Sequence, residues 1–581
     1  EGGLTPGRVS EALATASAAG LKNLVLHVDF NQSSIDSNRV CREGDIPGDY
    51  VQWTPDELLY LHDWNVITVP NGLDFAQVFV AQRLVSSVRN RQPTAIVYRT
   101  IKGWRYGIEG RLSHGAGHAF CSEGFYGALK EFEDAFGVTF PRPSGERTLE
   151  SAEQVYWESL LVVRRVMESH RAEVGLLAGK LQAARDRLKV LGRKPRPGAP
   201  DVSALYDSTK LDPAKPPAEL GMAPGTTTTL RGILGKTLHQ LNKGSGGGLF
   251  IAAADLLEST GVLAAAKGFP EGYYHSQNNP GSRTLSVGGI CEDAMGAIMC
   301  GLSDYGQHMG VGSSYAAFIA ALQHVAVRLH GIANTAEKGF TGKPFRPYIM
   351  VCGHAGFKTG EDGPTHADPQ ALQLLQENFP PGVCITLTPW DPQEIWPLMV
   401  AAIQARPALV AIFVTRPSER VMDRKSLGLP SPVAAAQGVY PIRLADPSKP
   451  SHGAVVLQES GTTYAFVQEV LPRLDRERIN LNVYYVSSCE LFDRLPAREQ
   501  EALFPQAHRQ EAMAITGFTL PTMYRWVTSE AGRRHSLHAF GCGHYPGSGQ
   551  AAQVLKEAGL DGESQWKAIV QYVEEWQRPT S

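Results

Sequence analysis

Short apolar runs of strand length recur along the chain, separated by stretches in which apolar residues return every three to four positions. The runs are NLVLHVDF, TAIVYRT, GLFIAAAD, RPYIMVCGHA, GVCITLTP, ALVAIFVTR, HGAVVLQES and LNVYYVSS. Runs of this length, bounded by Gly, Pro or Asp and followed by amphipathic helices, predict buried parallel strands of open α/β sheets. In such sheets ligands bind beyond the carboxyl ends of the strands, so chemistry is sought in the polar residues that follow each run. The pattern divides the chain into an α/β block over 1–145, a strand-poor segment over 146–225, a second α/β block over 226–430 and a third over 431–581. Within the strand-poor segment, TLESAEQVYWESLLVVRRVMESHRAEVGLLAGKLQAARDRLKVLG reads as one or two long helices, with Ser151 and Gln154 spaced as a capping box. The Pro- and Gly-rich stretch after it reads as an exposed linker.

Composition sets limits around this picture. A chain of 581 residues is expected to split into about three to four domains of roughly 150 residues each. With 55 basic against 58 acidic residues, no global field draws the chain to nucleic acid or an anionic membrane, so any phosphate recognition is local. There is no apolar run of about 18 residues and no basic-then-apolar N-terminus, which predicts a cytoplasmic protein without a membrane span. Eight scattered cysteines without a CxxC pair predict mostly buried thiols rather than a zinc site or a disulfide framework.

Four places carry candidate chemistry. GHAGFKTGEDGPTHADP, directly after the run RPYIMVC, gathers two histidines, three acids, a lysine and four glycines at a strand end, a loop able to bend around a polyhydroxylated or phosphorylated ligand. Glu292 opens a helical pattern in GGICEDAMGAIMCGLSDYG; a lone glutamate there is ordinarily a partner of the helix dipole. Asn31 follows the strand in HVDFNQSSID, where amide and carbonyl oxygens suit Mg²⁺, although an Asn at a strand end is more often a turn former. His114 lies in a glycine-flanked loop, SHGAGH.

Taken in order, these pieces resemble the transketolase family over nearly the whole chain. The first segment, EGGLTPGRVSEALATASAAGLKNLVLHVDFNQSSID, is similar to the latter half of that family's thiamine diphosphate motif. GGICEDAM is similar to its Gly-Ile/Val-Arg-Glu-His-Ala-Met helix start, and GHAGFKTGEDGPTHADP to its His-Asp-Ser-Ile-Gly-x-Gly-Glu-Asp-Gly-Pro-Thr-His-Gln-Pro loop. The resemblance implies an α/β, three-domain architecture of mostly parallel sheets flanked by helices: a partial pyrophosphate-binding domain, then, after the insertion, a pyrimidine-binding domain and a C-terminal domain. It also implies a homodimer with active sites at the interface. The activity implied is transfer of a two-carbon ketol unit from a ketose phosphate to an aldose phosphate through a thiamine diphosphate-bound carbanion. A deoxyxylulose-phosphate synthase-like enzyme and a non-catalytic paralogue acting as scaffold are the alternatives.

By the same resemblance Glu292 is the cofactor-activating glutamate, and His114 and His366 lie near the reacting atoms. Tyr315 and Phe318 flank the aminopyrimidine, Asp255 approaches the cofactor from the pyrimidine domain, and Glu11 belongs to a relay between the two sites. His354, Asp362 and His366 bind the sugar, while Arg416, Arg231 and Ser259 bind its phosphate. Asn31 and the Ser33 carbonyl ligate Mg²⁺ (or Ca²⁺). The family's Gly-Asp-Gly, which gives the metal its aspartate, is not in this sequence; the expectation is that residues before Glu1 carry it. Cys291, Asp293, Arg111, Ala355, Phe357 and Lys358 also depart from the family pattern, which bears on substrate identity more than on cofactor use.

Overall fold

All eight apolar runs form strands in the computed structural model, which describes residues 1–115, 117–145, 148–358 and 362–576; Thr359 to Glu361 of the ligand loop lie outside the described residues. Two compact units result, Glu1–Pro197 and Gly198–Ser581. In the first, β1 (Val25–Phe30), β2 (Asn65–Val69) and β3 (Thr94–Arg99) form a parallel sheet in the order β1-β3-β2.

The second unit holds two larger sheets and a small ladder. In chain order its strands are β4 (Thr227–Thr229), β5 (Leu249–Ala253), β6 (Thr284–Leu285), β7 (Met309–Tyr315), β8 (Tyr348–Gly353), β9 (Cys384–Leu387), β10 (Leu409–Val414), β11 (Ser418–Arg420), β12 (Val439–Arg443), β13 (Ala454–Gln458), β14 (Asn482–Val486) and β15 (Ala512–Thr516). A six-stranded parallel sheet runs β6-β5-β7-β8-β10-β9, β11 pairs antiparallel with β4, and a four-stranded sheet runs β12-β14-β13-β15 with only β12 antiparallel. Strands β7, β8 and β10 are buried along their whole length; β8 and β10 are the continuous apolar runs that cover on both faces requires, while β7 is buried despite its glycines and serines. Their core of Val311, Ile349, Val351, Val410 and Ile412 extends to Leu234 and Leu238 of the helix Leu230–Gly244 and Leu398 and Met399 of the helix Ile395–Ala405.

Two local expectations are corrected. The helix Leu149–Ser169 is capped by Thr148, not Ser151. The Thr148 hydroxyl accepts the Ser151 N–H at 3.2 Å and Ser151 Oγ accepts the Thr148 N–H at 3.0 Å, so a hydroxyl at the third helical position satisfies the cap and starts the helix earlier. It ends at His170 (φ −103°, ψ 49°), where a second helix, Arg171–Leu191, begins. The Pro-rich stretch is not simply an exposed linker either. Leu205 and Leu220 are fully buried, Trp396 Nε1 donates to the Asp212 carbonyl at 2.9 Å, and Gln404 Nε2 donates to the Leu211 carbonyl at 2.7 Å. Its scattered apolar residues give no periodicity, yet they strap it to the helix Ile395–Ala405.

A buried polar network joins the two large sheets. Arg424 Nε lies 2.9 Å from Asp391 Oδ2 and its Nη2 2.7 Å from Glu394 Oε1, while its guanidinium stacks 5.0 Å above the Trp390 ring. Tyr440, on β12, donates its hydroxyl to Glu394 and accepts Trp390 Nε1–H at 2.7 Å. Burial pushes the Glu394 carboxyl up, and Arg424 pulls it back. Such a cluster is tolerated only because each charge has its partner.

Candidate functional site

The candidate residues of the second unit follow from strand order. Of the neighbours β5, β7, β8 and β10, β7 ends in Tyr315, while Asp255 lies two residues beyond β5, His354 one beyond β8 and Arg416 two beyond β10; the register aligns Tyr315 with Gly353 and Gly353 with Val414. Sequence-distant polar groups therefore meet along one edge of the sheet, where the backbone turns sharply: Asp255 and His354 adopt φ of 59° and 55°. Left-handed backbone at a non-glycine residue costs energy and persists where the surroundings fix it.

Glu292 is the first residue of the helix Glu292–Tyr305, whose N-terminus lies at this edge, and its Oε1 accepts the Ser314 hydroxyl at 3.0 Å. Beside it the rings converge. Tyr315 meets His354 edge to face with centroids 3.9 Å apart and His366 at 5.2 Å; Phe318, 38% exposed, lies 6.0 Å from His366. Tyr315 ends β7 and Phe318 lies on the following 3₁₀ turn, so their spacing of three is not that of one helix face. His366 Nδ1 lies 2.8 Å from the Thr365 hydroxyl.

Asp362 sits between the loop and the strand. Its Oδ2 lies 2.5 Å from Arg416 Nη1 and 3.4 Å from His354 Nε2, the latter without hydrogen-bond geometry; among the described residues neither His354 ring nitrogen makes a hydrogen bond. Burial pushes the His354 imidazole down to about 4, against the opposing pull of Asp362, with Arg231, Arg416 and His366 adding to the depression. A neutral ring is thus held at neutral pH. Arg231 donates to the Ser259 carbonyl and is depressed by burial and then by Arg416, which places the two guanidiniums in one electrostatic neighbourhood. Ser259 and Asp255 line a cavity of about 1070 Å³ together with Lys236, Lys267 and Tyr273.

His354 gives a pH prediction. Its folded value lies below the unfolded 6.5, so between those values the unfolded chain binds more protons and stability falls as pH drops. His354→Gln is expected to remove on the order of 2 kcal/mol of the stability difference between pH 7.5 and 4.5. Urea unfolding at the two pH values checks it; an unchanged difference refutes it.

In the first unit Asn31, Ser33 and His114 line a separate cavity of about 480 Å³ with Glu1, Asp29, Tyr50 and Lys102. Asn31 Oδ1 accepts the Ser33 N–H at 3.0 Å, and the Glu1 carboxylate accepts the N–H groups of Asn31 and Ser33 at 3.0 and 3.1 Å. Lys102 Nζ donates to the Ser34 carbonyl at 3.0 Å and lies 3.5 Å from His114 Nδ1. Two N–H groups turned toward a carboxylate, with a lysine alongside, suit an anionic group such as a diphosphate. The amide and carbonyl oxygens of Asn31 and Ser33 suit a hard cation that takes few protein ligands. Among the described residues no group of three or more His, Cys, Asp or Glu is arranged to hold a metal. Glu11, half-buried on the helix Gly7–Ala18, does not line this cavity.

Several residues here escaped the sequence reading. Ser314 and Lys102 carry no motif, and only their places, just before a strand's end and just after one, mark them. Lys358, the lysine of the polar loop and a departure from the family pattern, forms an ion pair with Glu419, which nothing in the sequence singled out.

Known proteins define the class. Residues 227–421, which carry this edge, match the family model described as the transketolase pyrimidine-binding domain, a domain that implies thiamine diphosphate. Over 554 residues the chain is 24% identical to transketolase 1 of Pasteurella multocida (strain Pm70), covering 93% of this chain and 73% of that one. It is 23% identical over 567 residues to the transketolase of Physarum polycephalum, covering 97% and 75%. Among solved structures, the transketolase from Leishmania mexicana superposes with a TM-score of 0.72 at 19% identity, covering 100% of this chain and 76% of that one. A Pichia stipitis transketolase in complex with sedoheptulose-7-phosphate superposes at 0.68 and 19%, covering 99% and 76%. The protein is thus an α/β protein of parallel sheets flanked by helices, with a transketolase pyrimidine-binding domain at its centre. Residues 227–421 carry that domain, and nearly the whole chain is similar in sequence and fold to transketolases.

Proposed function

We propose that this protein transfers a two-carbon ketol unit from a ketose phosphate to an aldose phosphate, with thiamine diphosphate and Mg²⁺ as cofactors, as a cytoplasmic homodimer with active sites at the subunit interface. The observation that carries the reading is the joining, on one sheet edge, of a carboxyl at a helix start (Glu292 on Ser314) to the ring cluster Tyr315–His354–His366 and the Asp362–Arg416 pair. Thiamine diphosphate, when bound, supplies an acidic ring carbon and an electron sink for the cleaved fragment.

The chain's own residues do the rest. Tyr315 and Phe318 offer ring faces for a planar heterocycle. Glu292 holds a proton at its carboxyl oxygen for a ring nitrogen, with Ser314 fixing its rotamer. His354, neutral at physiological pH, and His366 hydrogen-bond sugar hydroxyls, and Asp362 accepts from a further hydroxyl. Arg416 presents a planar fork to the phosphate, with Arg231 and Ser259 beside it. Asn31 and Ser33 hold the metal, and Lys102 and His114 complete the anionic end. In no helix among the described residues is there a stretch long and apolar enough to cross a membrane.

Arg416→Ala is expected to raise KM for phosphorylated sugars by about 10- to 100-fold, the loss of a charged hydrogen-bonded pair, while unphosphorylated sugars change little. Steady-state kinetics with matched donors checks this; an equal loss on both kinds of donor removes Arg416 from the phosphate site. Supplying pyruvate as donor tests the synthase-like alternative in the same assay.

A further inference from the structure

Lys358 stands where the family loop has glycine, and the structure gives it a job. Its ammonium pairs with Glu419 and lies 5.4 Å from the centroid of the Tyr464 ring. Both partners are largely withdrawn from water, the Lys358 side chain 17% and the Glu419 side chain 6% exposed. A second carboxylate, Glu459, is buried nearby and feels the same ammonium. Glu459 is also the most unusual backbone position of the region, with φ 90° and ψ 148°, a conformation natural only to glycine. Its carboxylate accepts the N–H groups of Gly461 and Thr462 at 2.7 and 2.9 Å, which pins it there.

The packing around this trio leaves no slack. A Cβ at Gly356 would come within 2.8 Å of Glu459 Oε1, and one at Gly461 within 2.6 Å of Lys358 Cβ. Phe357, between them, is buried against Phe540 and Val554. The loop from His354 to Lys358 is therefore seated on the sheet β12-β14-β13-β15 and its helices. Glu419 occupies the middle of β11, three residues after Arg416, and pairs in register with Thr228 of β4. Thr229 then caps the helix that carries Arg231. One ion pair thus ties the loop of His354 and Asp362 to the strand of Arg416 and, through a three-residue ladder, to Arg231.

We propose that Lys358, clamped by Glu419 and facing Glu459, is a positioning residue that sets the spacing between the sugar-hydroxyl loop and the phosphate-binding arginines, and so the preference for phosphorylated sugars. The preference rests on the function proposed above; the clamp itself does not. Two measurements on the full chain separate them. Hydrogen exchange on Lys358→Met is expected to rise together in 353–358, 416–420 and 227–231; a rise confined to the substituted loop, or none, overturns the clamp whatever the protein binds. Calorimetry with thiamine diphosphate and Mg²⁺ present compares fructose 6-phosphate with fructose. In both Lys358→Met and Glu419→Gln the phosphorylated sugar is expected to lose about tenfold or more in affinity relative to fructose, as small displacements of positioning groups do. The double variant is expected to lose no more than either single one, and Lys358→Arg to restore most of it. An equal loss for both sugars, or additive losses, reduces the pair to a structural contact and overturns the positioning role. If the unsubstituted protein binds neither sugar, the specificity half of the proposal falls with the proposed function, and the exchange result alone decides the clamp.

Discussion

Turnover in the ketol-transfer assay is expected to fall by about 10²- to 10⁴-fold in Glu292→Gln, and to vanish in Glu292→Ala, with the melting temperature little changed. The expectation follows from the setting of the carboxyl. Glu292 is half-buried at the first helical position and makes one described hydrogen bond, from the Ser314 hydroxyl, which a glutamine oxygen accepts equally well. The helix should therefore survive, since only a modest dipole interaction is lost, worth about 0.3–1 kcal/mol. What glutamine lacks is an ionisable carboxyl proton to pass to a ring nitrogen and take back. Undiminished turnover in either variant refutes the functional reading; lost turnover together with early unfolding shifts the blame to the helix start.

The largest effect on stability is expected at Arg424. Removing one partner from a buried ion cluster leaves the others desolvated without compensation, a loss of about 3–5 kcal/mol. Arg424→Ala strands Asp391 and Glu394, both fully buried, and strips the guanidinium from the Trp390 face. Denaturant unfolding followed by tryptophan fluorescence reads the loss directly. A change below about 1 kcal/mol, the range of exposed pairs, shows that the network does not join the sheets energetically.

How far all this could be read from the chain depends on what each element owes to local pattern. The eight apolar runs announced their strands by composition, and in the second unit their strands are buried on both faces, whereas in β1 only Val28 is fully buried. Met309–Tyr315 did not, since MGVGSSY carries two glycines and two serines; its strand exists because β5 and β8 hold it from either side. Ala512–Thr516 is alanine-rich and equally silent; it is held by β13 on one side and by a single bridge from Ile515 to Leu537 on the other. At the site, Glu292, His354, Asp362, His366 and Arg416 were legible because motifs mark them, and their grouping on neighbouring strand ends follows from sheet order. Ser314, Glu419 and Glu459 were not, because their importance lies in partners about 20 to 100 residues away along the chain. The first unit divides the same way. Asn31, Ser33 and His114 share a cavity, while Glu11 lies on a helix outside it, and no local signal set it apart from its neighbours.

Strand order also has a consequence for how the chain is made. In three sheets a strand synthesised later is inserted between two made earlier: β3 between β1 and β2, β10 between β8 and β9, β14 between β12 and β13. A ribosome that has released the chain only to Leu387 has exposed β9 with no ladder partner, since its neighbour begins at Leu409. Each sheet is thus a gap awaiting its keystone. Sticky, unpaired edges persist through translation until the keystone arrives, and in that interval a chaperone has most to protect.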